Sequence, residues 1–328
     1  MAVITFREAL RQALDEEMTR DKEVIVMGEE VAQYDGAYKV TKGLLDKYGP
    51  DRVLDTPITE LGFTGLAVGA AMAGIRPVVE WMTIQFGLLA IDQLINNAAK
   101  FRYMSGGQFK FPLVIRGPNG PAEFLGSQHS QSFASYFVHV PGFKVVAPST
   151  PYDAKGLLKA AIRDDNPVIF LESEMSYGHK GEVPEEEYLI EIGKADVKRA
   201  GTDATLISFS KPVLMCLTAA EELEKQGISV EVIDLRSLRP LDRETVYASV
   251  RKTNRAVVVD EAWPQASVGS WIQAEIMKDC FDDLDAPVEL VASEDVPMPY
   301  NHALELEVQP TVAKIVAAVK RVAYKEKE

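Results

Sequence analysis

A single carboxylate, Glu60, begins a glycine-rich and otherwise apolar segment, residues 60–74. Gly62, Gly65 and Gly69 recur along it. Each costs about 1 kcal/mol relative to alanine inside a helix, so close approach of another backbone is the expected reason for them. Glu60 follows a short predicted strand and a turn, which predicts that it begins a helix. The residues alone leave two interpretations open: helix capping beside a tight helix–sheet contact, or a functional carboxylate.

Further candidate residues follow other short apolar runs. Gly28-Glu29 and Trp81-Met82-x-x-x-Phe86 come directly after such runs, and so does the segment that leads to His129. Because ligands in open α/β sheets bind beyond the carboxyl ends of strands, these residues are candidates for one site. Met82 and Phe86 taken alone are more typical of core residues. His129 lies among Gly, Ser and Gln, which indicates a loop.

The elements that must position these residues alternate between strand and helix patterns. Thr5-Phe6-Arg7-Glu8 has the capping-box pattern and opens an amphipathic helix. Non-alternating apolar runs bounded by helices are typical of a parallel sheet covered on both faces. The predicted strands of the first half are residues 24–27, 52–54, 77–81, 113–115, 144–147 and 168–171, and the helical stretches include 90–103 and 151–163.

The same alternation restarts after a less regular stretch. Residues 174–192 contain Gly178, Gly181, Pro184 and an acidic run, with little apolar periodicity, which is typical of a linker. Beyond it, strands are predicted at 204–209, 230–235 and 256–259, and helices to 226, from about 242, at 268–281 and from 311. We therefore predict two doubly wound three-layer α/β/α domains, at 1–175 and 201–328, joined by a linker at 176–200.

Composition excludes several classes of protein. The 328 residues are 47 % hydrophobic and 26 % charged, as in ordinary globular proteins. With 49 acidic and 35 basic residues, the net charge of −14 argues against nucleic-acid or anionic-membrane binding and leaves a basic protein partner open. No apolar run approaches the roughly 18 residues of a membrane span. Two isolated cysteines, Cys216 and Cys280, and no visible targeting segment predict reduced thiols and a cytoplasmic location.

The common nucleotide and hydrolase motifs are missing. The chain has neither the Gly-x-Gly-x-x-Gly dinucleotide motif nor a phosphate loop ending in Gly-Lys-Ser/Thr. It also has no zinc-protease histidine motif and no Gly-x-Ser-x-Gly elbow. The usual dehydrogenase, kinase and hydrolase interpretations are therefore disfavoured.

Several ordered motifs together resemble one family. Glu60-x-x-x-x-Gly65-Leu66-x-x-Gly69-Ala70 resembles the glutamate-and-glycine motif of thiamine-diphosphate enzymes. Residues 55–63 are similar to β subunits of the decarboxylating component of 2-oxo-acid dehydrogenase complexes, and the similarity extends to about residue 322. Other matching segments are residues 28–40, 103–107, 116–120, 128–131 and 295–300. The resemblance implies a pyrimidine-type thiamine-diphosphate-binding domain followed by a transketolase C-terminal-like domain.

The resemblance also implies roles for single residues. Glu60 would hydrogen-bond the pyrimidine ring of thiamine diphosphate, which favours the tautomer that activates the cofactor. Residues matching Met82 and Phe86 line the pyrimidine or the active-site channel in this family. His129 would bind the substrate carboxylate or an intermediate, or assist reductive acyl transfer, and Glu29 would belong to an acidic relay or stand as a helix-start charge.

A potassium site is implied by resemblance alone. Family members bind this cation largely through backbone carbonyls, at positions that match Leu113, Ala161, Ile162, Asp164 and Asn166. The run Asp164-Asp165-Asn166-Pro167 would otherwise indicate only a helix stop.

One family motif is missing. The Gly-Asp-Gly motif with a later Asn, which binds magnesium and the diphosphate, does not occur, since Tyr34-Asp35-Gly36 lacks the first glycine. The resemblance therefore implies that a separate α subunit supplies the Mg²⁺ and diphosphate half in an α2β2 heterotetramer. The glycine segment would then pack across subunits.

The resemblance is strongest to pyruvate members, in residues 28–40 and 116–120. The implied reaction is oxidative decarboxylation of pyruvate and reductive acetylation of a lipoyl group on the acyltransferase core, which supplies acetyl-CoA. A branched-chain 2-oxo-acid or acetoin dehydrogenase β subunit is the nearest alternative. A non-catalytic assembly module is an alternative of another class, and a one-chain transketolase-like enzyme is disfavoured by the missing motif.

The acidic excess predicts a basic partner. In related complexes, the carboxyl-terminal domain of the β subunit docks the small basic subunit-binding domain of the dihydrolipoyl acyltransferase. The acidic candidates for that contact are Asp282, Asp283, Asp285, Glu294 and Asp295.

Overall fold

The computed structural model describes residues 1–325, which form two compact units. The first unit consists of Met1–Asn119 and Tyr136–Ile192. The second consists of Gly120–Ser135 and the described chain from Gly193 onward. Each unit has its own parallel sheet with helices, so the predicted two-domain α/β fold is confirmed.

Six strands of the first unit lie side by side in the order β6-β7-β5-β4-β2-β3, and every neighbouring pair is parallel. A separate antiparallel pair joins β1 to β8. The strands are β1 Ala2–Thr5, β2 Val24–Gly28, β3 Val53–Asp55, β4 Arg76–Glu80, β5 Val114–Pro118, β6 Lys144–Val146, β7 Val168–Glu172 and β8 Lys180–Val183. The α-helices are α1 Phe6–Arg20, α2 Leu44–Tyr48, α3 Glu60–Met72, α4 Ala99–Met104, α5 Ala134–His139 and α6 Pro151–Arg163.

Helix α1 shows how local sequence produces this fold. The Thr5 side chain accepts a hydrogen bond from the backbone N–H of Glu8, at 3.2 Å, as the capping pattern predicts. Phe6, Leu10 and Leu14 are fully buried on one face, which packs against α6. The amphipathic spacing therefore sets both the start of the helix and the face that it buries.

The second unit has a five-stranded sheet in the order β14-β13-β10-β11-β9, parallel except for β9, and β12 is not part of this sheet. Its strands are β9 Asp196–Arg199, β10 Ala204–Ser208, β11 Val230–Asp234, β12 Ser237–Arg239, β13 Ala256–Val259 and β14 Glu289–Val291. Its α-helices are α7 Pro212–Glu224, α8 Arg243–Thr253, α9 Val268–Asp279, α10 His302–Val308 and α11 Val312–Val322. The sheet strands β10, β11 and β13 are completely buried, as is typical of parallel strands covered on both faces.

Three regions differ in detail from the sequence pattern. Residues 176–200, predicted as a linker, include β8 and β9, because short polar strands at sheet edges carry little apolar periodicity. The predicted helical stretch 90–103 includes a π-helical turn at Gln93–Ala98. Gly120–Ser135 interrupts the first unit in sequence and clusters with the second.

Among residues 1–325, no helix is long and apolar enough to cross a membrane. Both cysteines are buried and free.

Candidate active site

Four predicted site residues lie at the carboxyl end of the first sheet. Glu29 follows β2, Glu60 begins α3 after β3, and Met82 and Phe86 follow β4. Because these strands are parallel and adjacent, their carboxyl ends share one edge, which we call the first carboxyl edge. The first sheet therefore brings together four of the five residues that sequence reasoning assigned to one site, and the fifth, His129, belongs to the second unit.

Glu60 is a buried carboxylate at a helix start. Its exposure is 4 %, and within the described residues its side chain makes no hydrogen bond. Thr59, the residue before the helix, does not cap it with its side chain. The indole Nε1–H of Trp81 donates to Thr64 Oγ1 at 3.1 Å and thereby holds α3 against the segment after β4. Glu60 is thus fixed by its helix while its carboxylate keeps its acceptor capacity.

Glu29 is a second buried carboxylate at the first carboxyl edge. It is 7 % exposed, and its Oε1 atom is buried without a hydrogen-bond partner. Burial, and then the negative charge of Glu60, raise the pKa of the Glu29 carboxyl. The negative charge of Glu60 therefore acts on the Glu29 carboxyl at this edge.

Met82 and Phe86 are half-buried. Phe86 lies in a 3₁₀ helix, Ile84–Ala90, and Met82 lies two residues before this helix begins. The backbone N–H of Phe86 donates to the carbonyl of Thr83 at 3.1 Å. A Cβ at Gly87 would lie 2.1 Å from the Trp81 ring, so only glycine lets the segment pack this closely. The packing fixes both side chains at the edge without burying them completely.

An exposed apolar surface adjoins these residues. Ile58 is 84 % exposed and Leu66 is 62 % exposed, with Leu61 and Leu89 also exposed. Gly69 lies on the same side of α3 as Leu66, and a Cβ added there meets no atom within 4 Å. We call Ile58, Leu61, Leu66, Gly69 and Leu89 the α3 face. Exposed apolar surface of this kind marks an interaction site.

A buried ion network lies at the same edge, and sequence reasoning missed it. Arg116 binds Glu172 through Nε and Nη2, both at 2.6 Å, and also pairs with Glu80. The Tyr177 hydroxyl donates to Glu172 Oε2 at 2.6 Å. All four side chains are at most 2 % exposed. The signal in the sequence was a charge at or near the end of three otherwise apolar strands.

His129 belongs to the second unit, in the loop Gly120–Ser135, and is half-buried. The loop follows β5, as the sequence predicts. His302 packs edge-on against Phe124 of this loop, with ring centroids 4.2 Å apart.

The predicted potassium ligands gather at the opposite, amino-terminal edge of the first sheet. Arg76 Nη1 donates to the carbonyls of Ile162 and Asp164, at 3.0 and 3.2 Å. The carbonyl of Leu113 accepts from Val168, and that of Ala161 accepts from Asp164. The Asn166 amide donates to Asp164 Oδ1 at 2.8 Å. A guanidinium is therefore one cation that these carbonyls already face. Among residues 1–325, no cluster of His, Cys, Asp or Glu side chains could hold a metal ion.

The acidic docking candidates are mostly engaged within the chain. Asp283 pairs with Arg251, Asp285 with Arg255 and Glu294 with Lys314. Asp295 accepts from Gln265. Asp282 makes no hydrogen bond or ion pair within the described residues and lies beside Phe281, which is exposed.

Comparison with known families agrees with this architecture. Residues 2–180 match the family model for the transketolase pyrimidine binding domain, and residues 193–315 match that for the transketolase C-terminal domain. A solved split-gene transketolase, an inactive β4 tetramer, has a TM-score of 0.80 at 24 % identity and covers 99 % of both chains. The fold is thus that of a two-domain transketolase-type α/β protein.

Relatives with higher sequence identity narrow this class. A pyruvate dehydrogenase E1 component subunit beta of Rhizobium meliloti is 57 % identical over 99 % of this chain and 71 % of its own length. The Rickettsia felis protein of the same name is 55 % identical over 98 % of both chains. A mitochondrial beta-1 subunit of Oryza sativa is 57 % identical over 98 % of this chain and 87 % of its own. The chain belongs to the family of pyruvate dehydrogenase E1 β subunits, which are oxidoreductase components, as the sequence predicts.

Proposed function

We propose that this chain supplies the pyrimidine-binding half of a thiamine-diphosphate site that oxidatively decarboxylates pyruvate and acetylates a lipoyl group. The observation that carries the proposal is Glu60, a buried carboxylate without a hydrogen bond at the carboxyl edge of a parallel sheet. A buried acceptor without a protein partner has the chemistry to accept a hydrogen bond from a bound group.

Thiamine diphosphate, when bound, supplies a thiazolium carbanion. This chain's residues hold and polarise the pyrimidine ring. Glu60 accepts the hydrogen of the ring nitrogen, while Met82 and Phe86 provide apolar contacts. Glu29, whose pKa is raised by burial and by the negative charge of Glu60, is the second acid of an acidic relay at this edge.

We propose a separate α subunit for the Mg²⁺ and diphosphate half and an α2β2 assembly. The missing Gly-Asp-Gly motif and the α3 face support this division. The open space at Gly69 suits a partner backbone. Gly65 differs, since a Cβ there would lie 3.4 Å from the Gln93 side chain of the same chain. The glycines thus serve both an internal contact and the proposed subunit contact.

The test is Glu60→Gln in the complex reconstituted with the α chain. Turnover should fall at least about 100-fold, because loss of a positioned acid–base group costs that much. Glu221→Gln, an exposed change on α7, is the matched control and should leave turnover unchanged. Full turnover of Glu60→Gln at full cofactor occupancy would favour the non-catalytic assembly module. Preference for branched 2-oxo acids or for acetoin over pyruvate in steady-state assays would overturn the assignment of pyruvate as the substrate.

We assign His129 to handling the substrate carboxylate, an intermediate or the acyl transfer step. His129→Ala should therefore impair lipoyl acetylation. Measuring decarboxylation with an artificial electron acceptor separates the roles: activity retained in this assay indicates acyl transfer, and activity lost indicates substrate or intermediate binding.

We propose potassium binding at the carbonyls of Leu113, Ala161, Ile162, Asp164 and Asn166. A carbonyl oxygen has two lone pairs, so the carbonyls of Leu113, Ala161, Ile162 and Asp164 each keep one beyond the hydrogen bond described above, which supports the proposal. A ligand that binds the folded state raises its thermal midpoint. KCl should therefore raise the midpoint above that in NaCl at equal ionic strength, and equal midpoints would argue against a selective site.

For the acyltransferase, we propose docking of its basic subunit-binding domain beside Asp282, the acidic candidate that has no hydrogen bond or ion pair within residues 1–325. Asp282→Asn should weaken binding and reduce its dependence on salt. Asp285→Asn, which breaks the ion pair with Arg255, provides the comparison. The cytoplasmic location remains a prediction.

A further inference from the structure

The loop that carries His129 is closed at its base by its own hydrogen bonds. The backbone N–H of Gly120 donates to the carbonyl of Gln131 at 3.0 Å. The N–H of Ala122 donates to Ser130 Oγ at 3.3 Å. His129 is adjacent in sequence to this closed base, so movement of the loop would carry its imidazole with it.

The tip of the loop is held by a distant part of the second unit. The N–H of Phe124 donates to Glu305 Oε2 at 3.1 Å, and the Ser127 hydroxyl donates to the carbonyl of Met298 at 2.8 Å. The Phe124 ring meets the edge of His302. Residues 298–305 therefore form a clamp on the loop, which we call the tip clamp.

Two glycines allow close contact between the loop and its surroundings. Gly120 has φ +84°, and a Cβ there would lie 2.2 Å from Glu261 Oε1. Gly126 has φ +74°, and a Cβ there would lie 2.7 Å from the Tyr300 ring. Both positions require glycine for conformation and for space. The loop thus fits closely against the second unit at its base and at its tip.

Glu305 is the buried centre of the tip clamp. It is 2 % exposed at the start of helix α10, which Asn301 caps through hydrogen bonds to Ala303 and Leu304. One carboxylate oxygen accepts from Phe124, and the other is 3.4 Å from the donor Gln309 Nε2. A carboxylate that accepts a backbone N–H makes a stronger hydrogen bond than a neutral acceptor does. Glu305 therefore ties the loop tip to a rigid helix.

The base of the loop lies at the carboxyl end of a strand in the second sheet. In the second sheet the strand order reverses at β10, since β11 lies on one side of it and β13 on the other, and open α/β sheets usually bind ligands at such a point. Glu261 is the second residue after β13, and Gly120 lies against its carboxylate. The base of the loop therefore lies at the end of the strand where a ligand would normally be expected.

We propose that Glu305 is a positioning residue for His129, and that the second unit uses its ligand-binding edge to hold this active-site loop. The inference rests on the proposed role of His129. Glu305 acts through the Phe124 amide and the loop tip, and His129 acts on the substrate or the acyl group.

The test compares Glu305→Ala with Glu305→Gln and with Glu307→Ala, an exposed control on the same helix. Hydrogen exchange of the Phe124 amide in the full chain should become about 10-fold or more faster in Glu305→Ala, since a hydrogen bond to a charged group is lost. Glu305→Gln keeps an acceptor oxygen and should restore most of the protection. If Glu305→Ala does not fold, Ser127→Ala, which removes the other tip hydrogen bond, should also speed exchange.

In the complex with the α subunit, Glu305→Ala should lower kcat for lipoyl acetylation about 10-fold with little change in KM for pyruvate. The effect should be absent when His129 is already alanine. Unchanged exchange in both Glu305→Ala and Ser127→Ala, or equal kcat losses with and without His129, would overturn the positioning role. If His129→Ala alone leaves every step unchanged, the role of His129 fails, and the exchange result still decides whether the clamp exists.

Discussion

The two sheets differ in what lies at the carboxyl ends of their parallel strands. At the first carboxyl edge, Glu60 is buried without a hydrogen bond and the α3 face beside it is exposed. At the end of β13 in the second sheet, Glu261 lies against Gly120, so the chain's own loop approaches the strand ends. One edge keeps binding capacity for groups outside the chain, whereas the other is used internally.

This difference explains how one fold class serves two tasks. In the proposed function the Glu60 carboxylate accepts a hydrogen bond from a bound group, whereas the Glu261 carboxylate lies against the loop backbone at Gly120. Beside Glu60, the first edge is also strengthened by the Arg116 network, in which two carboxylates and one guanidinium neutralise one another in part. At the second edge, the Oε1 atom of Glu261 is buried without a hydrogen bond, and the charge of Lys211 offsets the burial of this carboxylate only in part.

The largest expected effect tests how much the buried Arg116 network stabilises the first carboxyl edge. Arg116→Met should lower the free energy of unfolding by about 3–5 kcal/mol, because Glu80 and Glu172 would remain buried without their cation. Chemical denaturation measures this. The control is Arg251→Met, which removes an exposed pair with Asp283 and should cost less than about 1 kcal/mol. Equal losses in both variants would mean that the buried network does not stabilise the edge.

A somewhat smaller effect tests the second edge. Burial raises the pKa of Glu261 to about 7, so its contribution to stability is fully present below its ordinary pKa of 4.5 and is lost as pH rises through 7. Glu261→Gln should match the parent near pH 4.5 and exceed its unfolding free energy by up to about 3 kcal/mol at pH 8. Denaturation at both pH values measures the difference. Glu222→Gln, on the exposed side of α7, should not change the unfolding free energy at either pH. An effect of Glu261→Gln that does not depend on pH would contradict the raised pKa of Glu261.

The smallest expected effect on stability comes from Gly69, and it tests whether the α3 face contacts the α subunit. Gly69→Leu should raise the unfolding free energy of the isolated chain by about 0.5–1 kcal/mol, because leucine favours a helix and the site is open. The same change should prevent assembly with the α subunit, as measured by analytical ultracentrifugation. Gly178→Leu, also in open space but outside the α3 face, should leave assembly intact. Normal assembly of Gly69→Leu would remove α3 from the proposed interface.

Much of the fold follows from local sequence. The capping residue Thr5, the helix Pro151–Arg163 and the strand Ala256–Val259 lie where periodicity and capping predict them. The positions of Glu29, Glu60, Met82 and Phe86 also follow, because parallel strands place their carboxyl ends at one edge.

Other features depend on contacts between distant residues. The polar edge strand β9 is defined by its partner β11, and the π-helical turn at Gln93–Ala98 has no local signature. The role of Arg76 at the predicted cation carbonyls is not visible from its position in β4. The loop around His129 joins the second unit through Glu305, 176 residues away from it in sequence, which no local pattern can show.

The strand β9 has a consequence for how copies of the chain meet. It runs Asp196-Val197-Lys198-Arg199 along the margin of the second sheet, and its charged side chains form ion pairs with Asp234 and Glu224. Charges on an edge strand discourage the addition of a further strand from another molecule. Crowded or unassembled copies should therefore meet through side chains, in reversible clusters that disperse on dilution, instead of growing by backbone templating into fibres.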